Sequence, residues 1–486
     1  WYSESSYTNV VTHITNGSSG NLTLYAKWTA ATTVNLYLQN SLYASYQLRY
    51  GESKTLPTPT VSGQYFFGWY NTQGTKITSV SGASTPTQYT YYGVAYANSS
   101  ATPIFTASQL KNIGTSGVYF LAYDINASTL TWEPIGTENA PFTGSFDGNS
   151  YKITGLRVTL STSSDRDYAG MFGYNSGTIK NLGLSGISVT SNYNTTCYVG
   201  GLVAYNQGTV ENCYIASGSV SATNSVLGRQ KLMYVGGIAG YLAGGSIKNC
   251  YTSCSVSGTT PESTGLYAYC YVGGVVGYTY NTGLSNCYAT GSVSSNATTS
   301  DVCGGIVGHV EREATISECY FSGRVTSEGY AGGIAGRLGN GVGSAPVMQN
   351  CYSVGTVSGN NAGGLCGTLC GTIRNSYAGG SVTGTSWASG ITGGAFNRGA
   401  TVECCYATAS IRSTGNRAAT ICSAYLYITV TDCYYLSTIS LSVSSGTTYT
   451  QGTAKTLSEI RSYMSSKWSS SVWDFSTGGN PVLKNT

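Results

Sequence analysis

The chain has 486 residues, is rich in Gly (65) and Tyr (42), and carries a net charge of only +4, with 9% charged residues. So mild a charge gives no basic surface for nucleic acid, and a hydrophobic content of 41% excludes wholesale disorder. No run of 18 apolar residues occurs, so we predict no transmembrane helix. A chain of this length needs several cores or an elongated one.

The first hundred residues contain a pattern that differs from the rest. The stretch LRYGESKTLPTPTVSGQYFFGWYNTQGTKIT at 48–78 resembles the Listeria–Bacteroides repeat, also called the internalin B-type repeat. The resemblance implies a small β-rich, β-grasp-like module of extracellular proteins. The family's usual ending appears earlier, as TLYAKW at 23–28. We therefore expect the C-terminal part of a truncated repeat over 1–28 and a second repeat over 33–98, in a piece of a longer protein.

A short helix is predicted next. Thr106 and Gln109 have the spacing of a capping box, Leu110 follows as an apolar residue, and Gly114 is a helix-ending residue.

The central part of the chain repeats itself. YVGGIAGYLAGGSIKNCY at 234–251 recurs as YVGGLVAYNQGTVENCY at 198–214 and as YVGGVVGYTYNTGLSNCY at 271–288. With the degenerate copies at 169–182, 388–406 and 418–435 included, the chain contains nine copies of this repeat. The variable length lies mostly between copies, which is typical of a solenoid with insertions at one point.

Each copy contains short strand-like pieces joined at Gly or Asn, which excludes helices. Stacked copies predict an all-β parallel β-helix over 166–446, with like residues above like residues at the strand spacing of about 4.8 Å. One aliphatic column is predicted to be core: Ile179, Val210, Ile247, Leu284, Ile316, Met348, Ile373, Val402 and Val430.

Two positions further along the chain, most copies carry asparagine. Asn tolerates turn dihedrals and can bond to its copy above and below, so we predict a structural ladder at a bend. A metal or substrate site is the alternative, which neutral amides disfavour. The ladder residues are Asn181, Asn212, Asn249, Asn286, Asn350 and Asn375.

Cysteine follows that asparagine in most copies. In-register neighbours are close enough for disulfides, but buried free thiols acting as small hydrophobes compete with this interpretation. The cysteines outside the column are better disulfide candidates, and zinc is disfavoured because matching ligand spacing is missing. The structural column contains Cys213, Cys250, Cys287, Cys319, Cys351, Cys405 and Cys433.

Tyrosines recur after the Gly-rich stretch of four copies. If these side chains point outward, they form an aromatic stripe able to bind sugar or protein; if inward, they fill the core. The candidate stripe is Tyr174, Tyr205, Tyr241 and Tyr278, continued by His309 and Arg337.

Catalytic patterns are scarce. The chain has two His residues, and neither His-Glu-x-x-His nor Gly-x-Ser-x-Gly occurs. The acidic residues are spread over the repeats and form no tight column. We interpret the charged cluster Glu311, Arg312 and Glu313 as a solvated turn. We expect no enzyme activity, no cofactor and no metal site.

The repeat pattern GG(I/L/V)xG…(I/V)xNCYxxGSV resembles the GLUG repeat of bacterial surface proteins. WEPIG at 132–136 and FTGSFDGNSYKITGL at 142–156 resemble the segment that leads into such arrays, and 458–484 resembles a segment that closes them. Because open solenoid ends need lids, we predict an N-terminal cap over 102–165 and a C-terminal cap over 447–486, with a helix beginning after Thr456.

The resemblance implies an extracellular or cell-surface stalk or adhesin segment. Its expected partners are glycan or protein of a host or neighbouring cell, further modules of the same chain, or other copies, without nucleic acid or membrane insertion. Two alternatives stay open: the non-catalytic region of a large surface metalloprotease resembling an IgA protease, and a polysaccharide-cleaving β-helix enzyme.

Overall fold

A computed structural model describes residues 1–26, 31–160, 166–192, 196–224, 231–260, 268–296, 301–395, 399–423 and 427–484. The chain forms two compact units, Trp1–Ala101 and Thr102–Thr486. The last two residues of the TLYAKW motif and residues 161–165 of the predicted N-terminal cap lie outside the described ranges.

The first unit contains a five-stranded mixed sheet. Its central pair, Ala31–Leu38 and Thr87–Tyr96, is parallel, and the outer pairings are antiparallel. Alternating apolar side chains bury one face around Trp69, whose indole N–H donates to the carbonyl of Pro57 at 2.6 Å. Across the sheet the strands are Ser41–Arg49, Ala31–Leu38, Thr87–Tyr96, Tyr65–Tyr70 and Lys76–Ile77, and Ser53–Thr55 pairs separately with Ser79–Ser81.

The second unit is a parallel β-solenoid with four sheets, here numbered 1 to 4. One coil runs through Thr209–Glu211 in sheet 1, Tyr214–Ile215 in sheet 2, Gly218–Thr223 and Lys231–Gly236 in sheet 3, and Ala239–Leu242 in sheet 4. The chain then re-enters sheet 1 one strand further along the axis. The fold class predicted from the repeats is thus confirmed.

In the described residues, sheets 1 and 2 hold twelve strands each, in chain order along the axis. Sheet 1 contains Thr102–Ile104, Val118–Leu121, Ser145–Asp147, Thr178–Lys180, Thr209–Glu211, Ser246–Lys248, Leu284–Ser285, Thr315–Ser317, Val347–Gln349, Thr372–Arg374, Ala400–Glu403 and Ile428–Thr431. Sheet 2 contains Ile125–Asn126, Lys152–Thr154, Gly183–Ser185, Tyr214–Ile215, Tyr251–Thr252, Tyr288–Ala289, Tyr320–Phe321, Tyr352–Ser353, Tyr377–Ala378, Tyr406–Ala407, Tyr434–Leu436 and Thr453–Lys455.

Sheets 3 and 4 complete each coil. Sheet 3 contains Arg157–Leu160, Arg166–Ala169, Ile187–Asn192, Thr196–Gly200, Gly218–Thr223, Lys231–Gly236, Ser255–Thr259, Ala268–Gly273, Ser292–Ser295, Val302–Gly304, Arg324–Thr326, Tyr330–Gly332, Thr356–Gly363, Ser381–Ser389, Ser410–Ser413, Arg417–Ala419, Leu441–Val443 and Thr447–Tyr449. Sheet 4 contains Phe172–Asn175, Val203–Asn206, Ala239–Leu242, Val276–Tyr280, Val307–Glu311, Ala335–Leu338, Cys366–Leu369 and Thr392–Ala395.

The aliphatic column of sheet 1 stacks in register. Ile247 pairs with Val210 on one side and with Leu284 on the other, and the pairing continues from Ile179 to Val430. Most of these side chains are fully buried in one continuous core. Strands before residue 166 extend the same sheets, since Phe146 pairs with Ile179. The solenoid therefore starts inside the region predicted to be the N-terminal cap.

The Gly-Gly pair marks the corner between sheets 3 and 4. A Cβ atom on Gly236 would overlap the carbonyl oxygen of Ala239 and lie 2.6 Å from the backbone nitrogen of Gly277. Only glycine fits this close approach of two backbones. The recurrence of the pair thus follows from the shape of the coil.

The variable insertions interrupt sheet 3. In two coils sheet 3 has one continuous strand with a bulge, Thr356–Gly363 in the first and Ser381–Ser389 in the next. In earlier coils it is split in two, as in Gly218–Thr223 and Lys231–Gly236. Most of the variable length therefore falls between the two strands of sheet 3, and a further insertion, 339–346, lies between sheets 4 and 1.

Each of the two helices in the described part of the chain has the predicted capping box. Helix α1 (Ala107–Lys111) begins after Thr106 and buries Leu110 in the solenoid core, so it covers the N-terminal end. Helix α2 (Leu457–Lys467) begins after Thr456, and Trp473–Asp474 pairs with Val482–Leu483 beyond it.

Helix α2 differs from the expectation that it lies over the end of the coil. Its buried residues Ile460 and Met464 pack on tyrosines of sheet 2 and belong to a cluster separate from the solenoid core. An amphipathic pattern shows that one helix face is buried but does not identify the surface that buries it.

Candidate functional site

The predicted tyrosine stripe is a stack of rings on sheet 4. The ring centroids of Tyr174, Tyr205, Tyr241 and Tyr278 follow one another at 4.5, 5.0 and 4.9 Å, with interplanar angles of 18°, 2° and 16°. Pairing in register places each tyrosine on its equivalent in the next coil. The stripe is therefore continuous over four coils.

A second tyrosine column, from sheet 3, packs against the first. Tyr168, Tyr198, Tyr234 and Tyr271 stack at 5.1, 5.1 and 5.6 Å. The two columns meet edge to face, for example at 5.0 Å and 90° between Tyr234 and Tyr241. We call both columns together the corner ladder. Sequence reasoning missed the second column, although the recurrent Tyr before Val-Gly-Gly was its signal.

The corner ladder lies outside the solenoid core but is largely buried by its own rings. Tyr234 is 7% exposed and Tyr278 is 8% exposed, and they form a cluster separate from the core. Burial, followed by the neighbouring Tyr205, raises the pKa of Tyr174 to about 12. The faces of Tyr205 and Tyr241 are covered by stacked neighbours, so a sugar has only ring edges and hydroxyl groups to contact there.

His309 and Arg337 continue the sheet 4 column. The His309 ring is 4% exposed and lies 4.9 Å from the Tyr278 ring centroid. Burial, followed by the positive charge of Arg337, lowers the pKa of His309 to about 3. Both ring nitrogens lack a hydrogen-bond partner among the described residues. A neutral imidazole enclosed in this way fills the column rather than acting as an acid–base group at neutral pH.

A third aromatic column lies on sheet 2 and was not predicted. Tyr214, Tyr251, Tyr288, Tyr320, Tyr352, Tyr377 and Tyr406 stack at 4.7–5.1 Å with interplanar angles of 1–11°. We call this column the flank ladder. The C-terminal segment covers its last part: Trp468 stacks on Tyr406 at 5.7 Å, and the Tyr377 hydroxyl donates to the carbonyl of Pro481 at 2.9 Å.

The asparagine column forms hydrogen bonds between coils. Asn212 donates from Nδ2 to Oδ1 of Asn181, and Asn249 donates to Asn212, both at 3.0 Å. Asn181 in turn donates to Asp147, which also faces Lys180 at 3.5 Å. All six predicted residues have φ between 50° and 54°, the left-handed region that Asn tolerates: Asn181, Asn212, Asn249, Asn286, Asn350 and Asn375.

The cysteine column lies just inside this bend, and within the described residues none of the fifteen cysteines forms a disulfide. The seven column thiols are buried, and each donates to the carbonyl two residues earlier at 3.1–3.2 Å, as Cys213 does to Glu211. Ser376 replaces cysteine with an equivalent bond to Arg374. Thiols in one rotamer repeat at the strand spacing, about 4.8 Å, well beyond the 2.05 Å of a disulfide.

Outside the column, the cysteines that the sequence favours for disulfides are thiols as well. Burial raises the pKa of Cys254 and of Cys303 to about 12, which keeps both thiols protonated. Cys370 and Cys404 are partly exposed.

Titratable groups do not converge. Within the described ranges, no three His, Cys, Asp or Glu side chains are placed to hold a metal ion. In the charged cluster 311–313, Glu311 accepts a hydrogen bond from Asn340, and Glu313 accepts one from Ser344. The Arg312 guanidinium lies 5.1 Å from the Tyr280 ring centroid. The two carboxylates of this cluster therefore bind the neighbouring loop that contains Asn340 and Ser344. Neither helix of the described chain is long and apolar enough to span a membrane.

Comparison with known families identifies one copy of the repeat. The family model of the GLUG motif matches residues 268–294. A protein of Evansella cellulosilytica, described as a candidate Gly-rich membrane protein, is 35% identical over 95 residues, which are 17% of this chain and 11% of that protein. This chain thus spans about a tenth of that relative's length.

Among solved structures, a Bacteroides ovatus protein described as a candidate immunoglobulin A1 protease aligns with 79% of this chain. The alignment covers 92% of that protein, with a TM-score of 0.38 and 19% sequence identity.

Proposed function

We propose that this chain is a non-enzymatic, extracellular stalk or adhesin segment of a larger surface protein. One observation carries the proposal: tyrosine rings stack on their equivalents in adjacent coils, and asparagine side chains donate hydrogen bonds to theirs. Such a repeat resists bending along its axis, which suits a spacer that displays other modules.

An extracellular location is compatible with the thiols. Reactive cysteines are exposed and have low pKa values, whereas the column thiols here are buried and Cys254 and Cys303 have raised pKa values. The Evansella relative is described as a membrane protein, which also fits a surface role. The internalin B-type resemblance of the first unit remains a prediction that points the same way.

We propose that glycan or protein binds where aromatic side chains are exposed to solvent and are not covered by another segment of the chain. The flank ladder offers the ring edges and hydroxyl groups of Tyr214, Tyr251 and Tyr288, which lie outside the part covered by the C-terminal segment. The corner ladder also offers ring edges only, and Tyr234 and Tyr278 in it are less than a tenth exposed. Tyr251→Ala should therefore weaken adhesion, while Tyr65→Ala, at a 57% exposed tyrosine of the first unit, serves as the matched control.

The test is incubation of the purified chain with a panel of polysaccharides and proteins, followed by assays for both binding and cleavage products. For the adhesin role we expect binding without turnover, and no binding at all would leave the stalk role alone. Polymer shortening would overturn the proposal in favour of a polysaccharide-cleaving β-helix. A zinc-protease motif elsewhere in the complete gene would instead make this chain the non-catalytic region of a surface metalloprotease.

A further inference from the structure

The two ends of the solenoid core are not equivalent. At the N-terminal end, Leu110 of α1 and Phe120 of the early coil are fully buried. At the C-terminal end, the last coil places Val430 over Val402 and Leu441 over Ile411. Val402 and Ile411 are fully buried, whereas Val430 and Leu441 are partly exposed. Among the described residues, one end is closed and the other is open.

At other inward positions too, the residue of the last coil is more exposed than its equivalent in the coil before it. Thr448 lies over the fully buried Ala418 and is itself exposed, and Val443 over Ser413 is partly exposed. Ile428 also packs on the core while remaining partly exposed. An apolar patch therefore faces outward along the axis.

The chain itself turns away from this patch. It leaves sheet 2 after Lys455, enters α2, and runs along the flank ladder, where Ile460 and Met464 are buried. The segment predicted to be the C-terminal cap thus covers the side of the solenoid. Within the part of the chain that the structure describes, the axial patch stays open.

Among the described residues, the outermost strands of sheets 1, 2 and 3 border the patch. The outermost strands are Ile428–Thr431 in sheet 1, Thr453–Lys455 in sheet 2, and Leu441–Val443 and Thr447–Tyr449 in sheet 3. Natural proteins protect such edges with charges, prolines or bulges. In these four strands Lys455 is the one charged residue, and proline is absent.

We infer that this open end binds the same end of a second copy, through a two-fold interface. Equivalent residues Val402 and Val430 are 28 positions apart, so the end of one coil presents at most about the 20–30 residues a side of a standard interface. A two-fold axis through sheet 1 brings Ile428–Thr431 antiparallel to its symmetry mate, so backbone edges pair and apolar patches meet. The nearly uncharged rim adds little repulsion.

The closed N-terminal end limits the assembly. Head-to-tail growth needs one open end to meet an opposite open end. Because α1 buries the first coil, the core cannot extend that way. The expected product is a dimer, whatever the surface role of the chain.

The experiment measures the oligomeric state of the full chain by sedimentation velocity over a concentration series. We expect a reversible dimer. Thr448→Lys places like charges across the interface while altering a side chain that is exposed in the monomer, so the dimer should weaken at least about tenfold. Val342→Lys, at a 63% exposed loop residue, is the control and should leave the dimer unchanged.

Hydrogen exchange identifies the face and covers the case in which a variant misfolds. In wild-type protein, amides of 428–431 and 441–449 should gain protection as the concentration rises, and those of the flank ladder at 214–320 should not. A monomer at every concentration, filaments, a dimer insensitive to Thr448→Lys, or protection confined to the flank ladder would each overturn the inference.

Discussion

Asn249 Nδ2 donates to Asn212 Oδ1 at 3.0 Å, although the two residues are 37 positions apart in the chain. Both residues have left-handed backbone conformations, with φ of 53° and 54°. The bend between sheets 1 and 2 therefore combines a strained dihedral with a bond between coils. Asparagine satisfies both requirements.

Replacing Asn249 by alanine should destabilise the protein by about 1–2 kcal/mol, because alanine loses the bond and is strained in this conformation. Asn249→Gly keeps the conformational freedom and should cost less. Equilibrium denaturation compares the two variants. Equal losses would show that the dihedral contributes nothing.

Cysteine reactivity should separate two classes of thiol. At pH 8 and without denaturant, a thiol reagent should react promptly at Cys370 and Cys404, which are partly exposed, and slowly elsewhere. In guanidinium without reductant, all fifteen thiols should react. A lower count in denaturant would reveal disulfides, and the double variant Cys370→Ser, Cys404→Ser should remove the prompt phase.

Alkaline pH should destabilise the fold. Burial raises the pKa of Cys303 from 9.0 to about 12, and burial chiefly raises that of Tyr320 from 10.0 to about 12. Because the folded pKa exceeds the unfolded one, this stabilisation is complete below pH 9 and is lost as the pH rises towards 12. The melting temperature should therefore fall above pH 9, with tyrosinate absorbance lagging behind that of free tyrosine. A constant melting temperature up to pH 11 would contradict this account.

The C-terminal segment should detach without unfolding the solenoid. Trp473 is 1% exposed and packs against Tyr352 and Tyr377, in a cluster separate from the core. Trp473→Ala should lower the local opening free energy of 456–484 by about 3 kcal/mol, since a large buried side chain is removed. Hydrogen exchange would show faster exchange in that segment alone, and Trp1→Ala, at a 64% exposed residue, is the control. Equally faster exchange throughout the coils would mean that the segment supports the core.

The sequence determined the coil and its register. Parallel stacking places equivalent residues of successive copies together, so Ile247 had to lie between Val210 and Leu284 once the copies were aligned. The same argument placed Asn249 beside Asn212 and predicted both helix starts from their capping boxes.

Contacts between different columns were decided by tertiary structure alone. Tyr234 meets Tyr241 because the corner at Gly236 turns sheets 3 and 4 towards each other on the outside, an angle that repeat spacing does not contain. Helix α2 lies on the flank ladder, rather than on the open end, because Trp468 and Trp473 pack on its rings. The repeat period determines which residues stack on one another along the solenoid axis. The angles between the sheets determine which columns contact one another around that axis.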